Sequence, residues 1–233
     1  MCGRYATTLT AASLNAEFEI DLANSFAELE PDYNVAPTKI APIVVQRSPK
    51  DADPYRELMQ ARWGLIPSWA KDPSIGSRMI NARTETVAEK PAFKKAFGKR
   101  RALIPADGYY EWYAGEGKSK QPFFITPKDR SILSMAGLYE FWKDPETDEW
   151  VISYTILTTT AEDALGQLHD RMPLIVERDC YTRWLDPTPQ PTDKLLGLLV
   201  PAAPGRLDAF PVSKAVGNHR NNGPELIQPL PPE

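Results

Sequence analysis

Apolar and polar positions in this chain alternate over short stretches, and most of those stretches fall in series through its middle. Ala102–Pro105, Gly108–Tyr113, Pro122–Thr126, Ile132–Tyr139 and Ile152–Thr159 each predict a strand, with turn signals such as Gly115-Glu116-Gly117 between them. Lys39–Gln46 and Met59–Ile66, the latter ended by Pro67, predict two earlier strands. Helical spacing is rarer. Leu14 and Phe18 share one face behind Thr10, a good N-cap, so Ala11–Phe18 predicts a short helix. Pro91 to Phe97 predicts a second, with proline in its first turn and Gly98 as terminator. Further helices are expected at Ala161–Leu168, at Asp179–Leu185 and near Asp193–Leu199. Strands in the middle with helices towards the ends give an α+β fold, a mainly antiparallel, curved, barrel-like sheet with peripheral helices.

Composition narrows this reading only a little. The 233 residues are 42% hydrophobic and 25% charged, as expected of an ordinary globular protein, and 23 prolines favour loops and short strands over a bundle. No repeat, low-complexity block or linker divides the chain, so residues 1–233 are expected to form one domain and to act as a monomer. The net charge of -4 neither supports nor excludes nucleic acid, because a phosphate-binding groove is local. Two cysteines, Cys2 and Cys180, make no disulfide framework and no zinc motif, so neither metal nor cofactor is expected. Without an apolar run of transmembrane length or a signal-peptide layout, the expected location is the reducing cytoplasm, at the nucleoid when bound to DNA.

Met1-Cys2 is the first chemically pointed feature. Removal of a methionine before a small residue would leave Cys2 with a free α-amine beside its thiol. With ordinary pKa values of about 7.7–8.0 and about 8.5, both groups would be available near neutral pH. A 1,2-aminothiol condenses with an aldehyde to an imine and then closes a five-membered thiazolidine. The alternative is an incidental cysteine on a frayed terminus. Gly3 permits a tight turn, and Arg4 places a phosphate-binding fork beside the nucleophile.

Four polar clusters lie downstream: Tyr33-Asn34-Val35-Ala36-Pro37-Thr38, Ile80-Asn81-Ala82-Arg83-Thr84-Glu85, Ile104 to Trp112, and Leu168-His169-Asp170-Arg171-Met172-Pro173. In an extended segment Asn81 and Arg83 share a face, an amide and a guanidinium suited to a sugar phosphate or to capping and salt bridging. Glu111, between Tyr110 and Trp112, is either paired with an arginine or carries a raised pKa fit for proton transfer. His169 is a proton carrier or a satisfied structural histidine. Trp63, Trp69 and Trp112 could stack on unpaired bases or pack in the core. The run Lys94, Lys95, Lys99, Arg100 and Arg101 reads as a solvated helix face with its flanking turn, and His219 has no assigned role.

The order of these stretches resembles a known family. Met-Cys-Gly-Arg-Tyr comes first, then Tyr-Asn-Val-Ala-Pro-Thr, Arg62-Trp63-Gly64-Leu65-Ile66-Pro67-Ser68-Trp69, Asn-Ala-Arg-Thr-Glu, Pro-Ala-Asp-Gly-Tyr-Tyr-Glu-Trp and His-Asp-Arg-Met-Pro, closing with Pro211-Val212-Ser213 and Val216-Gly217-Asn218. This is similar to the SRAP proteins, the SOS-response-associated peptidases that crosslink to abasic sites, and the likeness runs from Cys2 to about Pro229. It implies a single SRAP domain acting on abasic sites in single-stranded DNA. Cys2 would be the crosslinking nucleophile, Asn81 would hold the opened sugar and Arg83 would grip the adjacent phosphate. Glu111 would handle protons at the α-amine and sugar hydroxyl, and His169 would assist ring opening, imine formation and reversal. Arg4, Asn34, Thr158 and Arg171 would lie on the DNA-contacting surface, with bases unstacked on Trp69 and Trp112. Some bacterial members carry two consecutive tryptophans where this chain has Trp69-Ala70, so stacking there is expected to be weaker. A cysteine peptidase using Cys2 and His169, with Met1 as its own first substrate, remains open. So do a non-catalytic single-strand-binding module and an abasic lyase working through a transient imine.

Overall fold

The computed structural model describes residues 2–21, 29–114, 120–161 and 168–231. Its strands are β1 (Tyr5–Thr7), β2 (Asp32–Val35), β3 (Ile40–Arg47), β4 (Tyr55–Trp63), β5 (Asn81–Arg83), β6 (Arg101–Ala106), β7 (Gly108–Tyr113), β8 (Gln121–Pro127), β9 (Leu133–Lys143), β10 (Trp150–Thr160), β11 (Arg171–Pro173), β12 (Ile175–Val176), β13 (Leu199–Val200) and β14 (Leu207–Pro211). The helices are α1 (Ala11–Phe18), α2 (Thr84–Val87), α3 (Pro91–Lys99), α4 (Tyr181–Leu185) and α5 (Thr192–Leu196).

Five strands close into a barrel in the order β10-β4-β3-β6-β9, with β9 returning to pair with β10. A second, open sheet runs β14-β8-β7-β1-β2. Only Asp107 separates β6 from β7, so one strand path joins barrel and open sheet. The barrel strands are buried on both faces. Ile43 and Val45 of β3, Ala102 and Ile104 of β6, Met135 and Tyr139 of β9 and Tyr154 and Ile156 of β10 pack inward around Trp63 and Cys2. The intervening Val44, Leu103, Leu138 and Leu157 pack outward against Leu14, Phe18, Phe93, Phe97 and Trp184 of the surrounding helices. Two buried faces explain why these strands read as nearly continuous apolar runs.

The expected α+β class and mainly antiparallel, barrel-like sheet are what the chain adopts. Two parallel pairings were not foreseen: β10 runs alongside both β4 and β5. Helix α1 has the expected bounds, and Thr10 accepts the Ser13 N–H at 3.1 Å as its cap. Gly98 lies inside α3 rather than ending it. The Met59–Ile66 strand is shifted, because the chain turns at Gly64 (φ 116°), three residues before the proline. The Asp193–Leu199 segment splits into α5 and β13. Arg101, expected on a solvated face, is buried, with its guanidinium donating to the carbonyls of Phe97, Trp184 and Asp186. The turn at Gly115–Gly117 and most of the expected Ala161–Leu168 helix lie outside the described residues.

Gly64 and Gly76 form the waist of the loop that carries Trp69 and leads into β5. A Cβ on Gly64 would fall 2.5 Å from the Gly76 carbonyl oxygen, on a backbone that L residues avoid. Gly64→Ala should therefore lower the unfolding free energy by about 2–4 kcal/mol in urea titrations. Gly98→Ala is the contrast: its Cβ meets nothing within 4 Å, and removing a glycine from a helix should raise stability by about 0.5–1 kcal/mol.

Candidate active site

Cys2 enters the barrel just ahead of β1 and is fully buried among Tyr5, Trp63 and Tyr154. Asn81 holds it there: the side-chain amide donates to the Cys2 carbonyl at 2.7 Å. Asn81 is itself placed by the parallel pairing of β5 on β10, which sets Asn81 opposite Ile156 and Arg83 opposite Thr158. The Asn81 Oδ1 is buried and meets no donor among the described residues, so the amide has an acceptor to spare beside Cys2. Below this point the Tyr5 and Tyr154 hydroxyls share a hydrogen bond at 2.6 Å, and Trp63 stacks on Tyr154 and meets Tyr5 edge-on.

Glu111 sits on β7, buried, in the strand that pairs with β1. Burial, with the Asp170 carboxylate adding to it, pushes the Glu111 carboxyl up to about 7. A raised pKa is one of the two possibilities the sequence left open. Burial also raises the Cys2 thiol, and the nearby Glu111 charge raises it further. The sulfur is therefore neither exposed nor ionised near neutral pH, against expectation, because a thiolate in a dry interior beside a carboxylate has no solvation.

His169 lies on the segment leading into β11, with its ring about one-third exposed (31%). Two contacts fall on Nδ1: the Arg171 backbone N–H donates to it at 3.0 Å, and Asp170 Oδ1 lies 2.8 Å away. An unprotonated Nδ1 serves the first and a protonated one the second, so the ring has a partner in either state. Burial lowers its pKa below the ordinary value, which keeps the neutral form dominant at pH 7.

The remaining expected site residues divide into two groups. Trp69 is 59% exposed and Arg83 is exposed, so both can reach a ligand. Trp112 is half-buried and already faces the Arg4 guanidinium at 5.7 Å. Asn34 and Thr158, expected on the DNA-contacting surface, are fully buried. The Asn34 amide is spent on the carbonyls of Val216, Asn218 and Asn221, and its oxygen accepts from Arg4 at 2.7 Å. Both residues support their neighbours from within. Arg4 Nη1 also turns inward, to the Val216 carbonyl, and Arg171 is bound to Glu85 and Thr158. Trp63 belongs to the core. Sequence reasoning gave no role to Asp170, Glu85, Tyr5 or Tyr154. The first two were legible as charges beside His169 and Arg83, whereas the tyrosine pair joins residues far apart in the chain. Among the described residues no cluster of three metal-ligating side chains is present, and no helix is long and apolar enough to cross a membrane.

Residues 1–219 match the family described as SOS response associated peptidase (SRAP). The chain is 39% identical over 228 residues to the abasic site processing protein YoqW of Bacillus subtilis (strain 168), covering 98% of this chain and 99% of that protein. It is 34% identical over 223 residues to the abasic site processing protein HMCES of Xenopus tropicalis, covering 85% of this chain and 66% of that one. A crystal structure of a Bacteroides thetaiotaomicron protein superposes with a TM-score of 0.81 at 27% identity, covering 98% of this chain and 100% of that one. A Bordetella bronchiseptica protein does so with a TM-score of 0.74 at 26% identity, covering 91% and 100%. This chain belongs to the SOS response associated peptidase family.

Proposed function

We propose that this chain processes abasic sites in single-stranded DNA by capturing their aldehyde on Cys2 after Met1 has been removed. The α-amine of Cys2 adds to the aldehyde carbon and water leaves, giving an imine. The sulfur then adds to the imine carbon while its proton moves to a base, and the nitrogen takes up a proton to give a thiazolidine. One water is lost overall and no oxidant is needed. The observation that carries this reading is the convergence on Cys2 of a buried carboxyl group, whose pKa that burial raises, and an amide with an unused acceptor among the described residues.

Each role follows from state and place. A thiol held protonated by burial needs a base to give up its proton, and the Glu111 carboxylate is the charge that most raises it. Glu111, half protonated near pH 7, can also supply the proton that the departing water requires. His169 promotes opening of the closed sugar, with a partner for Nδ1 in both of its protonation states. Asn81 holds the opened sugar hydroxyl through Oδ1, and Arg83 takes the adjacent phosphate. Trp69 offers a face to an unpaired base. The relatives named abasic site processing proteins support the same substrate. A peptidase acting on other proteins would draw on the same buried thiol, and turnover of a protein substrate by protein already lacking Met1 would favour that reading.

Purified protein incubated with an abasic oligonucleotide should give a heat-stable, slowly migrating adduct whose intact mass lacks Met1. Cys2→Ala should give none. An undiminished yield from Cys2→Ala, or an adduct retaining Met1, would end the proposal. A cut strand with only a borohydride-trappable adduct would indicate the transient-imine lyase instead.

Glu111→Gln should slow crosslinking by about a hundredfold and remove the inflection near pH 7 from the pH–rate profile. The same variant tests the buried carboxyl by stability. Folding raises this group from its ordinary 4.5 to about 7, so the folded state holds the proton more tightly and stability falls as pH rises across that interval. A glutamine cannot ionise. Glu111→Gln should therefore be more stable than wild type at pH 8, by on the order of 3 kcal/mol, and lose the advantage near pH 5. Equal pH dependence of the two proteins in denaturant titrations would refute the assignment.

A further inference from the structure

Arg171 has no free outward-facing donor. Its Nη1 donates to Glu85 Oε1 at 2.6 Å and its Nη2 to Glu85 Oε2 at 3.1 Å. Nη2 also reaches the Thr158 carbonyl at 2.6 Å, and Nη1 the Thr160 hydroxyl at 3.4 Å. Nε is buried and faces no acceptor among the described residues, and only 11% of the side chain is exposed. A phosphate approaching this fork therefore cannot simply add to it.

Glu85 fills the Arg171 fork with both of its carboxylate oxygens. A carboxylate presenting two oxygens to a guanidinium fork has the geometry by which arginine also holds phosphate. The Glu85 side chain is 49% exposed at the surface, while its backbone is fixed in the first turn of α2. The preceding Thr84 hydroxyl ties that turn to the Thr158 carbonyl at 3.0 Å, the same carbonyl that receives Arg171. Arg83, two residues earlier and exposed, adds a second positive charge near the same carboxylate. The Arg171 hydrogen bonds, first among the causes, hold the Glu85 carboxyl below its ordinary pKa, so it is ionised at neutral pH.

We infer that Glu85 is a resident surrogate for a DNA phosphate, occupying the Arg171 fork until a strand displaces it and so setting how weakly the protein holds undamaged DNA. This rests on the proposed action on single-stranded DNA. Binding at this point is an exchange: a phosphate gains Arg171 only as Glu85 gives it up and turns into solvent. The exchange lowers the affinity for every passing strand alike. An abasic strand is retained regardless, because a covalent bond follows, whereas an undamaged strand leaves. Glu85 is thus a specificity-determining residue of the site. The exchange also takes place beside the catalytic histidine, since the Arg171 backbone N–H holds His169 Nδ1.

Fluorescence anisotropy with a labelled, undamaged oligothymidylate tests this in wild type, Glu85→Gln, Arg171→Ala and the double variant. Glu85→Gln should bind about threefold to tenfold more tightly at low salt, with the gain shrinking as salt rises. Undamaged competitor should then suppress crosslinking to an abasic strand more strongly in Glu85→Gln than in wild type. In the Arg171→Ala background the Glu85→Gln gain should fall to about twofold or less, because the fork being released is gone. Weaker or unchanged binding by Glu85→Gln would show that Glu85 merely positions Arg171, and equal gains in both backgrounds would show only a general charge effect; either overturns the inference. Glu85→Asp, which keeps the charge but shortens the reach, should fall between wild type and Glu85→Gln, and a value at or below wild type would count against it. Failure of the underlying reading looks different: wild type would neither bind the strand nor crosslink to an abasic one.

Discussion

The hydrogen bond from the Asn81 amide to the Cys2 carbonyl fixes where the beginning of the chain lies. Its net value in isolation is only about 1 kcal/mol, but its effect is positional. Asn81 is carried by a short strand laid parallel on β10, and β10 is the strand at which the barrel closes. The tie therefore transfers the rigidity of the barrel seam to the second residue of the sequence. Chain ends usually fray when nothing holds them. Here the tie, the Tyr5–Tyr154 hydroxyl pair and the packing around Trp63 hold the segment in the core.

Placing a thiol and a carboxyl in that dry interior has an electrostatic consequence. Each resists ionising because of burial, and the Glu111 charge makes the thiol resist more. A site that stored a thiolate would be reactive at all times. This one holds its sulfur as a thiol and offers the proton a nearby resting place with a pKa close to the surrounding pH. In the proposed reaction the sulfur is activated only when an electrophilic carbon is present to take its electrons. Burying an ionisable carboxyl costs stability above pH 7, which a purely structural position would have no reason to bear.

Much of the fold was legible in the sequence, because Thr10 caps the first helix with Leu14 and Phe18 beneath it, and because the central strands are long and apolar. What was not legible is instructive. The turn at Gly64 precedes the more conspicuous Pro67, since the close approach of Gly76 demands a glycine there and only tertiary structure brings Gly76 near. The parallel pairings of β10 join segments about 70 to 90 residues apart, with no local pattern to announce them. In the candidate site, Cys2, Asn81, Glu111 and His169 were legible as residue types suited to the proposed chemistry. The state of the thiol was not, since exposure at a chain terminus is the ordinary expectation and burial reverses it.

The buried members of the polar stretches show how such motifs divide their work. Asn34 and Thr158 stand in stretches as polar and as pointed as those of Asn81 and His169, yet both are spent inside the protein. Asn34 gathers three carbonyls from the segment Val216–Asn221, and Arg4 adds a donor to one of them, so the last part of the fold is clamped onto the first. Arg4 meanwhile lies over Trp112, the residue after Glu111. Loosening the clamp would thus disturb the strand that carries the carboxyl. A buried amide with all its donors satisfied cannot also serve a ligand without giving up the bonds that hold the segment 216–221. Which polar residues remain available to a ligand is decided by this accounting of donors and acceptors. In Arg171 the accounting is left closed by a carboxylate that sits half in solvent, and an acceptor so placed can be exchanged where buried carbonyls cannot.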